Sequence, residues 1–197
     1  MNQIYANDAD FNRSDPRAVR AAIRAGKITG ETSGLGSNYV QGNLAILPAD
    51  LALDFLRFCQ RNPKPCPLVG VSETGDPMLP TLGNDIDIRT DIPSYNVYRN
   101  GELTETIPDI NDLWRDDYVA FIIGCSFSFE QALVNEGVPL QHWDRNLTVS
   151  MYITDVMTTP SGPFRGGTVV SMRPMTAINA IRSVEITSRV PHTHGSP

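Results

Sequence analysis

The chain has 197 residues, 41% hydrophobic and 19% charged, with 16 Lys and Arg against 22 Asp and Glu for a formal net charge of -6. That length suits one domain, or one domain with a small companion. The acidic balance (pI about 5.0) excludes a basic nucleic-acid footprint, and no apolar run approaches the roughly 20 residues a membrane span needs.

Met1 to Asn12 reads as a polar lead-in without the apolar core of a signal peptide. Ser14-Asp15-Pro16 then reads as a helix start, with Pro16 in the first turn. Val19, Ala22 and Ile23 make its apolar stripe, and Gly26 ends it. Arg17, Arg20 and Arg24 fall on other faces and read as a solvated helix surface. Gly30 to Asn43 is rich in glycine and short polar side chains. It has neither the Gly-x-x-x-x-Gly-Lys pattern of a phosphate loop nor Gly-x-Gly-x-x-Gly after a strand. It reads as a loop offering Thr32, Ser33, Tyr39, Gln41 and Asn43 to a small polar ligand, or as plain surface.

Leu47 to Asn62 reads as a helix, with Pro48 at its start and Leu51, Phe55, Phe58 and Cys59 as its buried stripe. Asn62 to Pro67, with three prolines, reads as a stiff extended connector. Leu68 to Val71 is a short strand and Glu73 to Pro77 a turn. Asp85 to Asp91 alternates with period two, as a half-exposed strand does. Asn100-Gly101 between Tyr95–Arg99 and Glu102–Thr106 signals a type I′ hairpin.

Tyr118 to Ile123 carries no charge and no helical stripe, which suits a strand buried on both faces. Gly124 ends the run. Ser128 followed by Gln131 reads as a capping box, with Phe127 placed to staple onto Ala132. Gly137 and Pro139 stop this helix. Leu147 to Val156 and Thr168 to Arg173 are strand candidates flanking a Pro- and Gly-rich loop, and Ala177, Ile181 and Val184 share a helical face.

Functional candidates concentrate where that central strand delivers Cys125, Ser126 and Glu130 to a helix start. Helix N-termini offer free N–H groups, lower thiol pKa values and favour anions. Glu130 is a candidate general acid or base. The competing reading makes Cys125 core filler, Ser126 and Ser128 caps, and Glu130 a first-turn acid. Arg165 and Arg173 are cations beside a Gly-rich loop, suited to a carboxylate or to a structural ion pair. His192 and His194 have only His142 as a third histidine, too few for a metal centre. Three cysteines (Cys59, Cys66, Cys125) match neither a zinc pattern nor a disulfide framework, pointing to a reducing, cytoplasmic setting. No metal or cofactor is expected.

Five strings, Tyr39–Leu44, Asn62–Pro67, Asp85–Asp91, Ile123–Glu130 and Val170–Pro174, resemble the D-glutamate cyclase family, whose bacterial members carry a hydro-lyase label. The resemblance runs from about Ala18 to the C-terminus. It implies one domain over residues 1–197, an α/β layered sandwich with a mixed sheet and a smaller α+β portion around 85–115. It also implies dehydrating cyclisation of D-glutamate to 5-oxo-D-proline, or a related dehydration of a small carboxylic acid, with no nucleic-acid or membrane partner. A homo-oligomer is compatible with it. Two departures accompany it. Family members continue past His194-Gly195-Ser196-Pro197 with a strand-rich tail, and Ile153 stands where relatives carry a basic residue. For such a reaction, the N–H groups from Ser126 to Glu130 suit an oxyanion, Glu130 suits proton transfer and Arg173 suits a carboxylate. A covalent acyl group on Cys125 is an alternative route. The competing functions are a Cys or Ser acyl-transfer hydrolase and a non-catalytic carboxylate-binding protein.

Overall fold

The computed structural model describes residues 11–196; most of the polar lead-in lies outside them. In chain order the elements are α1 (Pro16–Arg24), β1 (Gly42–Pro48), α2 (Ala49–Arg61), β2 (Leu68–Val71), β3 (Tyr95–Arg99), β4 (Glu102–Ile107), β5 (Tyr118–Gly124), α3 (Phe127–Asn135), α4 (Gln141–Asp144), β6 (Ser150–Met157), β7 (Gly167–Met172) and α5 (Ala177–Thr187). Short 3₁₀ turns lie at Asn111–Leu113 and Pro191–Thr193.

The main sheet has the order β1-β5-β2, so the apolar run of β5 is its central strand. Ala120 and Phe121 are fully buried there. Phe121 meets Phe55 of α2 edge-on at 5.0 Å or less (4.9 Å between centroids), and Phe164 closes on the same ring at 5.0 Å. Burying a side chain of that size contributes about 1.5–3 kcal/mol. The expected α/β character is present. The sheet expected to be mixed is antiparallel at each described pairing, β1 with β5, β2 with β5, β3 with β4 and β6 with β7.

Strand β1 is an element that periodicity missed. Leu44 to Leu47 runs without a break into the apolar stripe of α2, and an apolar run of that length fits either structure. Its pairing with β5 decides the matter: Gly42 lies opposite Gly124 and Pro48 opposite Tyr118. Helix α1 forms as read, with the Asp15 carboxylate accepting from the Arg17 N–H at its start.

Three segments differ from their sequence reading. Asp85 to Asp91 is a series of turns with one bridge, Met78 to Asp87. Its aspartates account for this. Asp87 accepts from the Arg89 N–H and Asp91 from the Asp87 N–H, local bonds that compete with a strand ladder. Arg20 and Arg24 reach across to Asp85 and Asp91, so that face of α1 is paired and not simply solvated. The Asn62–Pro67 connector is a turn, closed by the Cys66 N–H on the Asn62 carbonyl at 2.9 Å. On α5 the stripe of Ala177, Ile181 and Val184 points outward, and Ile186 and Thr187 are the buried positions.

The hairpin forms as expected, with Asn100 and Gly101 at φ 52° and 83°, the positive values a type I′ turn demands. The ribbon β6–β7 pairs only with itself among the described residues, and Ile153, Met157 and Val169 are exposed on it. No described helix is long and apolar enough to cross a membrane.

Cys59 is buried, as expected of a core position, and its side chain meets that of Cys66 across the proline turn. The interaction between the two side chains lowers the Cys66 pKa, and with burial it raises that of Cys59. Cys66 is also the more exposed of the two. We expect limiting iodoacetamide at neutral pH to alkylate Cys66 before Cys59 or Cys125, read by peptide mass spectrometry. Equal labelling of all three would contradict the contact.

Candidate active site

Strand β5 ends at Gly124 because nothing larger fits. A Cβ there would stand 1.9 Å from the His192 carbonyl oxygen, so the backbone of the Pro191–Thr193 turn rests directly on the strand end. Gly124→Ala is expected to cost about 1–3 kcal/mol or more through overpacking. A melting temperature equal to that of the unsubstituted protein would count against this contact.

The chain turns at Cys125 and enters α3 at Phe127, with Ser126 as the residue before the first turn. The helix therefore starts earlier than the capping-box reading placed it, and Ser128 lies inside. The Ser128 hydroxyl accepts from the Gln41 N–H at 2.8 Å, and the Cys125 N–H donates to the Gln41 carbonyl at 2.8 Å. These two bonds fasten the end of the Gly-rich loop to the strand-to-helix corner.

Beneath this corner sits a buried polar cluster centred on Glu130, whose side chain is 0% exposed. Its Oε1 accepts from the Arg173 guanidinium at 2.6 Å and lies 2.9 Å from His142 Nε2. Its Oε2 accepts from the Ser33 hydroxyl at 3.0 Å and from the Trp143 indole at 2.9 Å. Both oxygens are thus satisfied, as a buried carboxylate requires. Arg173 has one further bond, from Nη2 to the Ser126 hydroxyl oxygen at 2.9 Å, and its guanidinium packs 5.3 Å from the centre of the Phe129 ring.

Residues expected at the site divide into two groups. Thr32, Tyr39, Gln41, Asn43, Cys125, Ser126 and Arg173 line one open cleft. Its volume, about 2570 Å³, is well above the roughly 300–1,000 Å³ of a small-molecule pocket. A small ligand would occupy a corner of it. Ser33 and Glu130 do not line the cleft; they lie in the cluster behind it. Within the loop, Thr32 donates to the Gln41 side-chain oxygen at 2.7 Å and Gln41 Nε2 to the Leu35 carbonyl at 2.8 Å, so both side chains shape the loop. Arg165 is absent from both the cluster and the cleft lining. The Cys125 thiol was expected to be lowered by the helix N-terminus. Burial raises it instead, with the nearby Glu130 charge adding to the effect.

His142 and Trp143 were not singled out from sequence. A lone histidine and a tryptophan on a four-residue helix carry no motif, and only the chain path brings them within reach of Glu130. His192 and His194 do not pair as metal ligands. His194 faces the Lys64 carbonyl through Nδ1, and no group of metal-binding side chains occurs among the described residues.

The sequence pattern of the D-glutamate cyclase family matches residues 119–197, which includes β5 from Val119 onward, the corner, Glu130 and Arg173. A protein of Verminephrobacter eiseniae named "Putative hydro-lyase" is 60% identical over 194 residues, covering 98% of this chain and 70% of that protein. The chain belongs to the D-glutamate cyclase family. Similar proteins named in the same way occur in Bordetella petrii, at 59% identity over 91% of this chain and 68% of its own length, and in Methylobacterium, at 56% over 97% and 71%. Membership in this family of hydro-lyases places the chain among the lyases. The corner from Gly124 to Glu130 lies wholly within the matched family region.

Proposed function

We propose that this D-glutamate cyclase family member closes D-glutamate into 5-oxo-D-proline with release of water, and that it does so where β5 meets α3. The observation that carries this reading is the Ser126 hydroxyl, which lies on the cleft and accepts a hydrogen bond from Arg173. Accepting from a guanidinium leaves the serine proton free to be donated, and the positive charge makes it a better donor.

The chemistry balances as follows. The amine nitrogen bonds to the γ-carboxyl carbon, giving a tetrahedral oxyanion. One carbon–oxygen bond then breaks. The ammonium gives up two protons in becoming the lactam N–H, and the departing carboxylate oxygen receives two and leaves as water. In this scheme Ser126, polarised by Arg173, donates toward the departing oxygen, and the first-turn N–H groups of α3 hold the oxyanion. Glu130 serves as the anchor that fixes Arg173. Cys125 acts as a wall of the site, since a thiol raised by burial is a poor nucleophile at neutral pH. Asn43, which lies opposite Ile123 in the sheet, and Tyr39 also line the cleft and are assigned to substrate contact. His142 faces Glu130 and not Cys125 or Ser126, so the arrangement offers no support for an acyl-transfer triad.

The test is incubation with D-glutamate, L-glutamate and a panel of small hydroxy acids, with mass spectrometry for loss of one water. Loss from D-glutamate is expected. Loss from a hydroxy acid with none from glutamate would overturn the cyclisation and retain a hydro-lyase. No loss from any of them, with ligand binding intact, would leave a carboxylate-binding protein.

A further inference from the structure

Among the described residues, the cleft holds one lysine or arginine that is not paired with a carboxylate. Arg17 and Arg20 face Asp85, Arg99 faces Glu105, Arg115 faces Asp117 and Arg173 faces Glu130. Lys64 also lines the cleft, yet its ammonium bonds the Gly195 carbonyl, and no carboxylate pairs with it among the described residues. A lysine ammonium has three donors, so two remain for another acceptor.

The chain path places Lys64 at the same end of β5 as the corner. The Pro67 carbonyl accepts from the Gly124 N–H at 2.8 Å, joining the proline turn to the last residue of the strand. Leu68 lies opposite Ile123 in the sheet. The His192 backbone rests on Gly124, and His194 Nδ1 lies 2.8 Å from the Lys64 carbonyl. Pro63 and Pro65 on either side of Lys64 restrict the backbone of the turn, so the lysine stem starts from a fixed position.

We propose that Lys64 binds the second carboxylate of a dicarboxylic substrate, the one that does not react, while the first faces Ser126 and Arg173. This deepens the cyclisation reading and rests on it for the orientation of the substrate. The electrostatics favour such a group. The Arg173–Glu130 pair is neutral as a unit, so it can polarise one reacting carboxyl but offers no net charge to a second anion. A separate cation would favour the second carboxylate, and among the described residues Lys64 is the cleft cation with no carboxylate partner.

Binding of glutarate, a dicarboxylate with no amine and hence unable to cyclise, tests this by calorimetry at low and high salt. The unsubstituted protein is expected to bind glutarate more tightly than butyrate. Lys64→Met is expected to weaken glutarate about 10- to 100-fold, the effect of losing one hydrogen bond to a charged group, and to leave butyrate little changed. Lys64→Arg keeps the charge, should recover most of the affinity and guards against a folding defect. Glutarate binding that is absent, or equal in the unsubstituted protein and Lys64→Met, would overturn the assignment. Lysine-dependent glutarate binding without dehydration of D-glutamate would keep Lys64 as a carboxylate anchor and discard the cyclisation.

Discussion

Glu130→Gln is expected to lower stability by about 3–5 kcal/mol, the usual result of removing one partner of a buried ion pair. For a chain of this size each kcal/mol shifts the melting temperature by about 2–4 °C, so scanning calorimetry should show a drop on the order of 10 °C. The size follows from what is left behind. Arg173, with its side chain 10% exposed, would keep its charge and lose its counterion. An amide also donates where the carboxylate accepted, so it must present N–H to at least one of Ser33, Trp143, His142 and Arg173. The double variant Glu130→Gln with Arg173→Met removes both charges and should be less destabilised than the sum of the single changes. A melting temperature within a degree or two of the parent for Glu130→Gln alone would show that the carboxylate is not the organising group.

Ser126→Ala carries the largest expected effect on activity. It deletes the one hydroxyl that both lines the cleft and touches Arg173. Loss of a preorganised donor of this kind costs about 10²–10³ in kcat. Its structural cost, the loss of one hydrogen bond from a charged donor, is about 1.5–3 kcal/mol, below that of Glu130→Gln. The two are therefore separable in one preparation: a protein that melts several degrees below the parent and is fully folded at the assay temperature, but turns over D-glutamate at about one hundredth of its rate or less. Full activity in Ser126→Ala would remove the serine from the mechanism. Partial activity in Cys125→Ala, by contrast, is compatible with a wall residue.

Much of the architecture was legible because it is set by short-range chemistry. Asn100-Gly101 admits few turns, Tyr118 to Ile123 has no charged residue to place at a surface, and Asp15-Pro16 starts a helix for local reasons. Strand β1 was not legible, because its apolar residues adjoin those of α2 and only the partner strand separates them. Asp85 to Asp91 misled for a different reason: alternation of Asp with Ile mimics a strand, while the aspartates prefer their own backbone and the arginines of α1. At the site, sequence located the corner and named Ser126, Glu130 and Arg173. It could not show that Glu130 and Arg173 bind each other, which moves Glu130 behind the cleft. His142, Trp143 and Lys64 were invisible as site residues because their relevance depends on contacts between segments up to 131 positions apart.

The ribbon of β6 and β7 has a consequence for how the molecule comes apart. Its strands bond to each other and leave Ile153 79% exposed, whereas β5 is enclosed by β1, β2 and α2. A lone two-stranded ribbon has marginal stability of its own. Its backbone amides should therefore trade hydrogen for deuterium by local opening, well ahead of those in β5, which wait for the whole domain to unfold. Arg173 is the first residue beyond that ribbon. The strand delivering the guanidinium to Ser126 thus belongs to a weakly protected part of the fold, while the carboxylate that receives it is fully buried in the helix that follows β5.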